Sequence, residues 1–90
     1  MSVSHLVVMP SSQERESAAD KIRRLQTEAK ALAREHIEGL NAALAQVAQI
    51  AGEVSEGGDL YPVGARELAR RVSEDAGKQA LALTAILERS

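Results

Sequence analysis

The stretch between Pro10 and Pro62, the only two prolines of this 90-residue chain, contains no residue that breaks a helix outright. Within it, apolar residues and one histidine recur in steps of three and four, the period of one face of an α-helix. Some of these positions are eleven residues apart, which predicts a seam that runs nearly straight along one long helix. The seam residues are Ile22, Leu25, Ala29, Ala33, His36, Leu40, Leu44, Val47, Ala51 and Val54.

Two capping patterns mark the beginning of this helix. Ser11-Ser12-Gln13-Glu14 has the form of a capping box, in which a serine and a glutamate satisfy free backbone N–H groups. Ser17-Ala18-Ala19-Asp20 repeats the pattern, so the start can lie up to about two turns later. We predict a first helix over about residues 12–55, preceded by an N-terminal arm, residues 1–10, that is mobile or strand-like.

A glycine-rich break separates this helix from a second one. Gly57 is expected to adopt the left-handed conformation that often follows a helix end. Pro62 fits the first turn of a new helix, which we predict over about residues 62–89. Its apolar stripe is Ala65, Leu68, Ala69, Val72, Ala76, Ala80, Leu83, Ile86 and Leu87.

These elements predict an all-α protein, a long antiparallel helical hairpin. In an antiparallel hairpin, the residue numbers of two facing residues add up to the same value for every pair. With the turn near Gly58 this value is about 116, and it pairs apolar residues wherever the two helices lie side by side. The expected pairs are Ala51 with Ala65, Val47 with Ala69, Leu44 with Val72, Leu40 with Ala76, His36 with Ala80 and Ala33 with Leu83.

The same register places Gly39 opposite Gly77. Each glycine costs about 1 kcal/mol in a helix interior relative to alanine, so two facing glycines predict a close crossing of the backbones. The alternative is that Gly39 breaks the first helix and leaves a three-helix bundle. Aromatic residues make up only 1% of the chain, and a core of Ala, Gly, Leu, Ile and Val also favours closely spaced helices.

The two helices differ in length, and this predicts self-association. The first helix exceeds the second, so Ile22 and Leu25 find no partner within the chain, and the uncharged stretch from Leu40 to Gly52 is more apolar than one hairpin can cover. Both features are explained if two hairpins dimerise into a four-helix bundle. The predicted homodimer interface contains Ile22, Leu25, Leu40, Leu44 and Val47.

Composition excludes several classes of function. The chain has no cysteine, so thiol catalysis, disulfides and Cys-ligated zinc are ruled out, and its net charge of −2 disfavours a dedicated nucleic-acid binder. No residue pattern indicates catalysis, a cofactor or a metal, and we expect no enzyme activity. His36 lies beside the seam without partners for a metal, which favours a partly buried histidine in the packing.

Partner candidates cluster at the start of the second helix. Tyr61 is the only aromatic residue, and Arg66, Arg70 and Arg71 place positive charge where the helix dipole disfavours it. We predict a single helical domain over 11–90. It acts as a regulatory, adaptor or structural interaction module, with an unidentified protein partner as well as its own copy.

Two alternatives remain open for the function. One is a small DNA-associated regulator that uses the basic face of the second helix. The other is an amphipathic protein that coats a membrane or granule. No apolar run approaches the length needed to span a bilayer, and the first ten residues lack a signal-peptide pattern, so we expect a cytoplasmic protein. The preference for arginine over lysine, with many alanines, suggests a bacterial source.

Overall fold

The structure of the protein, a computed structural model, describes residues 16–90. Helix α1 spans Ala18–Ser55, a short 3₁₀ turn spans Gly58–Leu60, and helix α2 spans Val63–Arg89. These residues contain no strand. The two predicted helices are therefore confirmed, and the three-helix alternative is wrong because α1 passes through Gly39 without a break.

The chain divides into two units, Met1–Leu32 and Ala33–Ser90. In the described part of the first unit, α1 begins at the second of the two capping patterns. The Ser17 hydroxyl oxygen accepts a hydrogen bond from the Asp20 backbone N–H at 3.0 Å. The helix therefore begins at Ala18 and not near residue 12, and the arm predicted for residues 1–10 lies outside the described residues.

In the second unit, α1 and α2 pack against each other through small side chains. Among residues 16–90, only Ala51 and Ala76 are buried, with 8% and 5% of their surface exposed. The Ser73 hydroxyl donates a hydrogen bond to the Ala48 carbonyl oxygen at 2.8 Å, and a Cβ on Gly52 would lie 3.4 Å from the Ser73 Oγ. The close helix spacing predicted from the composition is present at this point.

The pairing of the two helices differs from the predicted register. Ala48 faces Ser73 and not residue 68, and the Asn41 Nδ2 donates to the Thr84 Oγ1 at 2.9 Å where residue 75 was expected. The two displacements along α2, five and nine residues, correspond to about one and a half and two and a half helical turns. It arose because the predicted register paired apolar residues, whereas Ser73 and Thr84 lie in the contact and hydrogen-bond across it.

The predicted crossing of Gly39 and Gly77 is wrong. A Cβ added to either glycine would meet no atom within 4 Å, so neither backbone is approached closely by the other helix. The glycine that does lie at a close approach is Gly52.

The turn depends on two glycines with different roles. Gly58, with φ of 74°, is the residue in the left-handed conformation, whereas the predicted Gly57 has φ of −75°. Gly57 instead makes room for the ring of Tyr61, which occupies the space that a Cβ on Gly57 would need. The Tyr61 N–H donates to the Gly58 carbonyl oxygen at 3.0 Å and closes the turn before Pro62, the N-cap residue of α2.

Candidate interaction surfaces

The predicted partner-binding residues lie near the turn but only partly together. Arg66 and Arg70 line one depression of about 400 Å³, whereas Tyr61 and Arg71 are exposed outside its lining. The depression also contains Glu67 and a second glutamate, so it is not a purely basic site. The full lining is Ser55, Glu56, Val63, Arg66, Glu67 and Arg70.

Two of these arginines already have partners within the chain. The Arg66 Nε donates to the Tyr61 carbonyl oxygen at 3.2 Å, and Arg70 forms an ion pair with Glu74 at 3.2 Å. Both interactions lie on the surface, where an ion pair stabilises little. They nevertheless hold these two side chains along the helix, so the cluster is less open to a phosphate than the sequence alone predicts.

A second group of basic residues, Lys21, Arg23 and Arg24 in the first unit, is balanced by carboxylates. Arg23 pairs with Asp20, and Arg24 pairs with Glu16 at 3.1 Å and with Glu28 at 3.5 Å. The hydrogen bond from Arg24 to Glu16, together with the negative charge of Glu16, raises the pKa of the Arg24 guanidinium. This part of α1 presents mixed charge and not a basic patch.

The predicted homodimer residues are mostly exposed. In the first unit, Ile22 and Leu25 expose 55% and 49% of their surface. In the second unit, Leu40 and Val47 are also exposed, and Leu44 is partly covered because it faces α2 more directly. Four of the five residues therefore present large apolar side chains that the described chain leaves open.

Residues of α2 extend this surface in the second unit. Leu40 and Val47 each precede a contact residue, Asn41 or Ala48, by one position and are turned about 100° from it. Val72 stands in the same relation to Ser73 on α2. Five large side chains, each between 37% and 58% exposed, lie on this side of the hairpin by the same helical geometry. We call them the apolar flank: Leu40, Val47, Leu68, Val72 and Ile86.

The α2 half of the apolar flank was missed by the sequence analysis. Leu68, Val72 and Ile86 were assigned to the stripe that packs within the chain, but the intrachain contact is made by their smaller or polar neighbours. A signal for this was present. Leu68 and Ile86 are eighteen residues apart, five full helical turns, and therefore lie on one line along α2, well away from Ser73.

The other flank of the hairpin carries an open groove of about 680 Å³ between α1 and α2. Its floor consists of small side chains, and the exposed side chain of Leu81 stands beside them. The carboxamide oxygen of Asn41 is buried there and has no hydrogen-bond donor. The groove is lined by Asn41, Ala45, Ala48, Ser73, Glu74, Gly77, Lys78, Ala80, Leu81 and Thr84.

His36 does not have the environment predicted for it. The side chain is exposed and borders a small depression of about 210 Å³ with Ile37 and Leu40. It escapes burial because α2 packs on the side of α1 that carries Asn41 and Ala48. Within residues 16–90, no three His, Cys, Asp or Glu side chains come together as a metal site requires.

Comparison with known proteins gives the chain no relatives: no protein-family model matches it, and no curated protein or solved structure does either. Across residues 16–90, neither helix contains a stretch with the length and hydropathy needed to cross a membrane.

Proposed function

We propose that the protein is a non-enzymatic, cytoplasmic interaction module that works as a homodimer, in which two hairpins close a four-helix bundle through the apolar flank. The observation that supports this most directly is the distribution of side-chain size. The contact within one chain uses Ala, Gly, Ser, Thr and Asn, whereas ten Leu, Ile and Val side chains of the second unit remain exposed.

The energetics of burial favour a second copy. Burial of apolar surface contributes about 25 cal/mol per Å², and the two buried alanines provide very little of it within residues 16–90. Small domains with so little core usually need an additional source of stability, of which oligomerisation is one. Large contiguous apolar patches are also uncommon on monomeric proteins and often mark interaction sites.

In the proposed dimer, Leu40 and Val47 of one copy meet the apolar flank of the other. Ile22 and Leu25, exposed in the first unit, add apolar surface for the same partner chain. The turn residues remain outside this contact, and we assign the interaction with a further protein to Tyr61, Arg66, Arg70 and Arg71. This assignment rests on the exposed side chain of Tyr61 and the basic side chains that follow it.

A charge placed in the apolar flank tests the homodimer. We expect light scattering to give a dimer mass for the natural chain and a monomer mass for Val47→Glu, because a carboxylate cannot be buried against apolar side chains without a large cost. Val63→Glu is the matched control. Val63 is as exposed as the flank residues but borders the depression near the turn, so this variant should stay dimeric.

Other outcomes would overturn the proposal. A monomer mass for the natural chain at micromolar concentration, or equal dissociation by Val47→Glu and Val63→Glu, contradicts an interface at the apolar flank. Co-sedimentation of the monomeric chain with liposomes would assign the exposed apolar residues to a lipid surface instead. Salt-sensitive retention of duplex DNA, lost on replacement of Arg71, would favour the DNA-associated alternative.

A further inference from the structure

One face of α1 is apolar, exposed and centred on His36. Because an α-helix turns about 100° per residue, nine positions of α1 lie within about 40° of His36 around the helix axis. All nine are exposed, and the large apolar ones expose between 44% and 66% of their surface. We call them the α1 face: Ile22, Leu25, Ala29, Leu32, His36, Leu40, Ala43, Val47 and Ile50.

The sequence of the α1 face is nearly palindromic about His36. Four residues away on either side lies a leucine, seven residues away an alanine, eleven residues away a leucine or a valine, and fourteen residues away an isoleucine. Two identical helices that pack antiparallel about a two-fold axis at His36 would therefore bring residues of matching type opposite each other. The opposed pairs are Ile22 with Ile50, Leu25 with Val47, Ala29 with Ala43, Leu32 with Leu40, and His36 with its own copy.

Helix α2 does not cover the α1 face. In the second unit, α1 contacts α2 through Asn41 and Ala48, which are turned about 120–140° from His36 around the helix axis. The α1 face therefore points away from the contact within the hairpin. Leu40 and Val47 belong to both the α1 face and the apolar flank, so the two surfaces are continuous.

The charges at the edge of the α1 face favour the same arrangement. Lys21 and Glu53 lie on the same side of it, turned about 60° and 100° from His36, and neither is in an ion pair within residues 16–90. With the axis at His36, Lys21 of one copy comes beside Glu53 of the other at both ends of the helix pair. Glu35 lies near the axis, but it is exposed and turned about 100° from His36, so salt screens its repulsion of the second copy's Glu35.

We propose that two copies of the chain associate through the α1 face, with their α1 helices antiparallel about a two-fold axis at His36. This inference rests on the homodimer proposed above and states which helix lies on its symmetry axis. Ile22 and Leu25 of one copy then pack against the uncharged stretch from Leu40 to Gly52 of the other. One arrangement therefore accounts for both features that predicted self-association.

Cysteine cross-linking of the full chain tests this arrangement, because the chain has no cysteine of its own. Helix axes about 10 Å apart place two Cα atoms that face each other on the two-fold axis about 5 Å apart, a separation that a disulfide can bridge. We expect His36→Cys to form a covalent dimer under mild oxidation. Gln49→Cys is the matched control on α1. It is exposed but turned about 140° from His36, so it should remain without a cross-link over the same time.

A mixing experiment determines the direction of the two helices. In the antiparallel pair, the two copies of Leu25 lie about 33 Å apart along the helix axis, and so do the two copies of Val47. Neither Leu25→Cys nor Val47→Cys should therefore cross-link with itself, whereas a mixture of the two variants should give a covalent heterodimer. A parallel pair of α1 helices would instead link Leu25→Cys to its own copy.

Sedimentation equilibrium of the natural chain separates the failure of this inference from the failure of the homodimer. A monomer mass would overturn both. A dimer mass would leave the homodimer standing and overturn the axis at His36 if the mixture of Leu25→Cys and Val47→Cys gives no heterodimer, or if His36→Cys cross-links no faster than Gln49→Cys.

Discussion

Ser73 in α2 donates its hydroxyl hydrogen to the backbone carbonyl oxygen of Ala48 in α1 across 2.8 Å. Because the bond joins a short side chain to the backbone of the other helix, it requires the two helices to lie close together at this point. The Cβ that Gly52 lacks would lie 3.4 Å from the same hydroxyl oxygen. The contact between α1 and α2 is therefore set by a serine and a glycine and not by a large apolar pair.

Replacement of Ser73 by alanine removes this bond. A hydrogen bond within a protein contributes about 1 kcal/mol to the free energy of unfolding. We expect Ser73→Ala to be less stable by about that amount than Thr27→Ala, a control whose hydroxyl bonds only to the Arg23 carbonyl oxygen of its own helix. Denaturant titrations that give the two variants the same stability would show that the Ser73 bond does not hold the hairpin.

Asn41 and Thr84 form a hydrogen-bonded pair, and we expect substitutions at these two positions to change the free energy of unfolding in opposite directions. The side-chain oxygen of Asn41 is buried without a hydrogen-bond donor, and such an unsatisfied group lowers the free energy of unfolding by about 1–3 kcal/mol. The side-chain nitrogen of Asn41 donates to the hydroxyl oxygen of Thr84. Asn41→Leu removes the unsatisfied oxygen and should raise the free energy of unfolding by about 1 kcal/mol. Thr84→Val removes the acceptor of the amide and should lower it. Denaturant titrations in which both variants shift in the same direction would contradict this.

We also expect opposite changes in stability when alanine replaces Gly39 and when it replaces Gly58. Gly39 lies inside α1 with nothing within 4 Å of its Cβ position, so Gly39→Ala should stabilise the protein by about 1 kcal/mol. Gly58 holds a φ of 74°, a conformation that costs an L-residue about 1–2 kcal/mol, so Gly58→Ala should destabilise it. Thermal unfolding distinguishes the two. A loss of stability in Gly39→Ala would mean that α1 is not continuous there.

Arg34 predicts a local effect at the end of α2. Its guanidinium donates to the Leu87 carbonyl oxygen at 2.8 Å and to the Ser90 hydroxyl at 3.0 Å. These bonds satisfy groups that a helix end leaves open, so Arg34→Gln should increase hydrogen exchange in the last turn of α2. Arg70→Gln, which removes only a surface ion pair with Glu74, should leave that exchange unchanged. Unaltered hydrogen exchange in Arg34→Gln would show that Arg34 does not stabilise the last turn of α2.

The boundaries of the helices could be predicted because local residues determine them. The capping serine at Ser17, the glycines before α2 and the proline at residue 62 each act within one turn of the chain. The start of α1 was placed too early because two capping patterns occur in sequence. Which of them is used depends on the hydrogen bond that Ser17 makes to Asp20.

The register and the faces of the helices could not be predicted in the same way. The predicted register paired apolar residues, but the residues that face each other include Asn41, Ser73 and Thr84, whose side chains form hydrogen bonds across the contact. As a consequence Leu68 and Ile86 were assigned to the intrachain packing and are exposed. The periodicity of a sequence indicates that a helix has an apolar face, but it does not indicate which neighbouring element covers that face.

The central claim is that the hairpin is completed by a second copy of the chain, and thermal unfolding at two protein concentrations tests it directly. If folding and dimerisation are coupled, an increase of about a hundredfold in concentration should raise the unfolding temperature by several degrees, through mass action. Dilution should lower the helical signal of the chain. An unfolding temperature independent of concentration, together with full helicity in the most dilute sample, would contradict the claim.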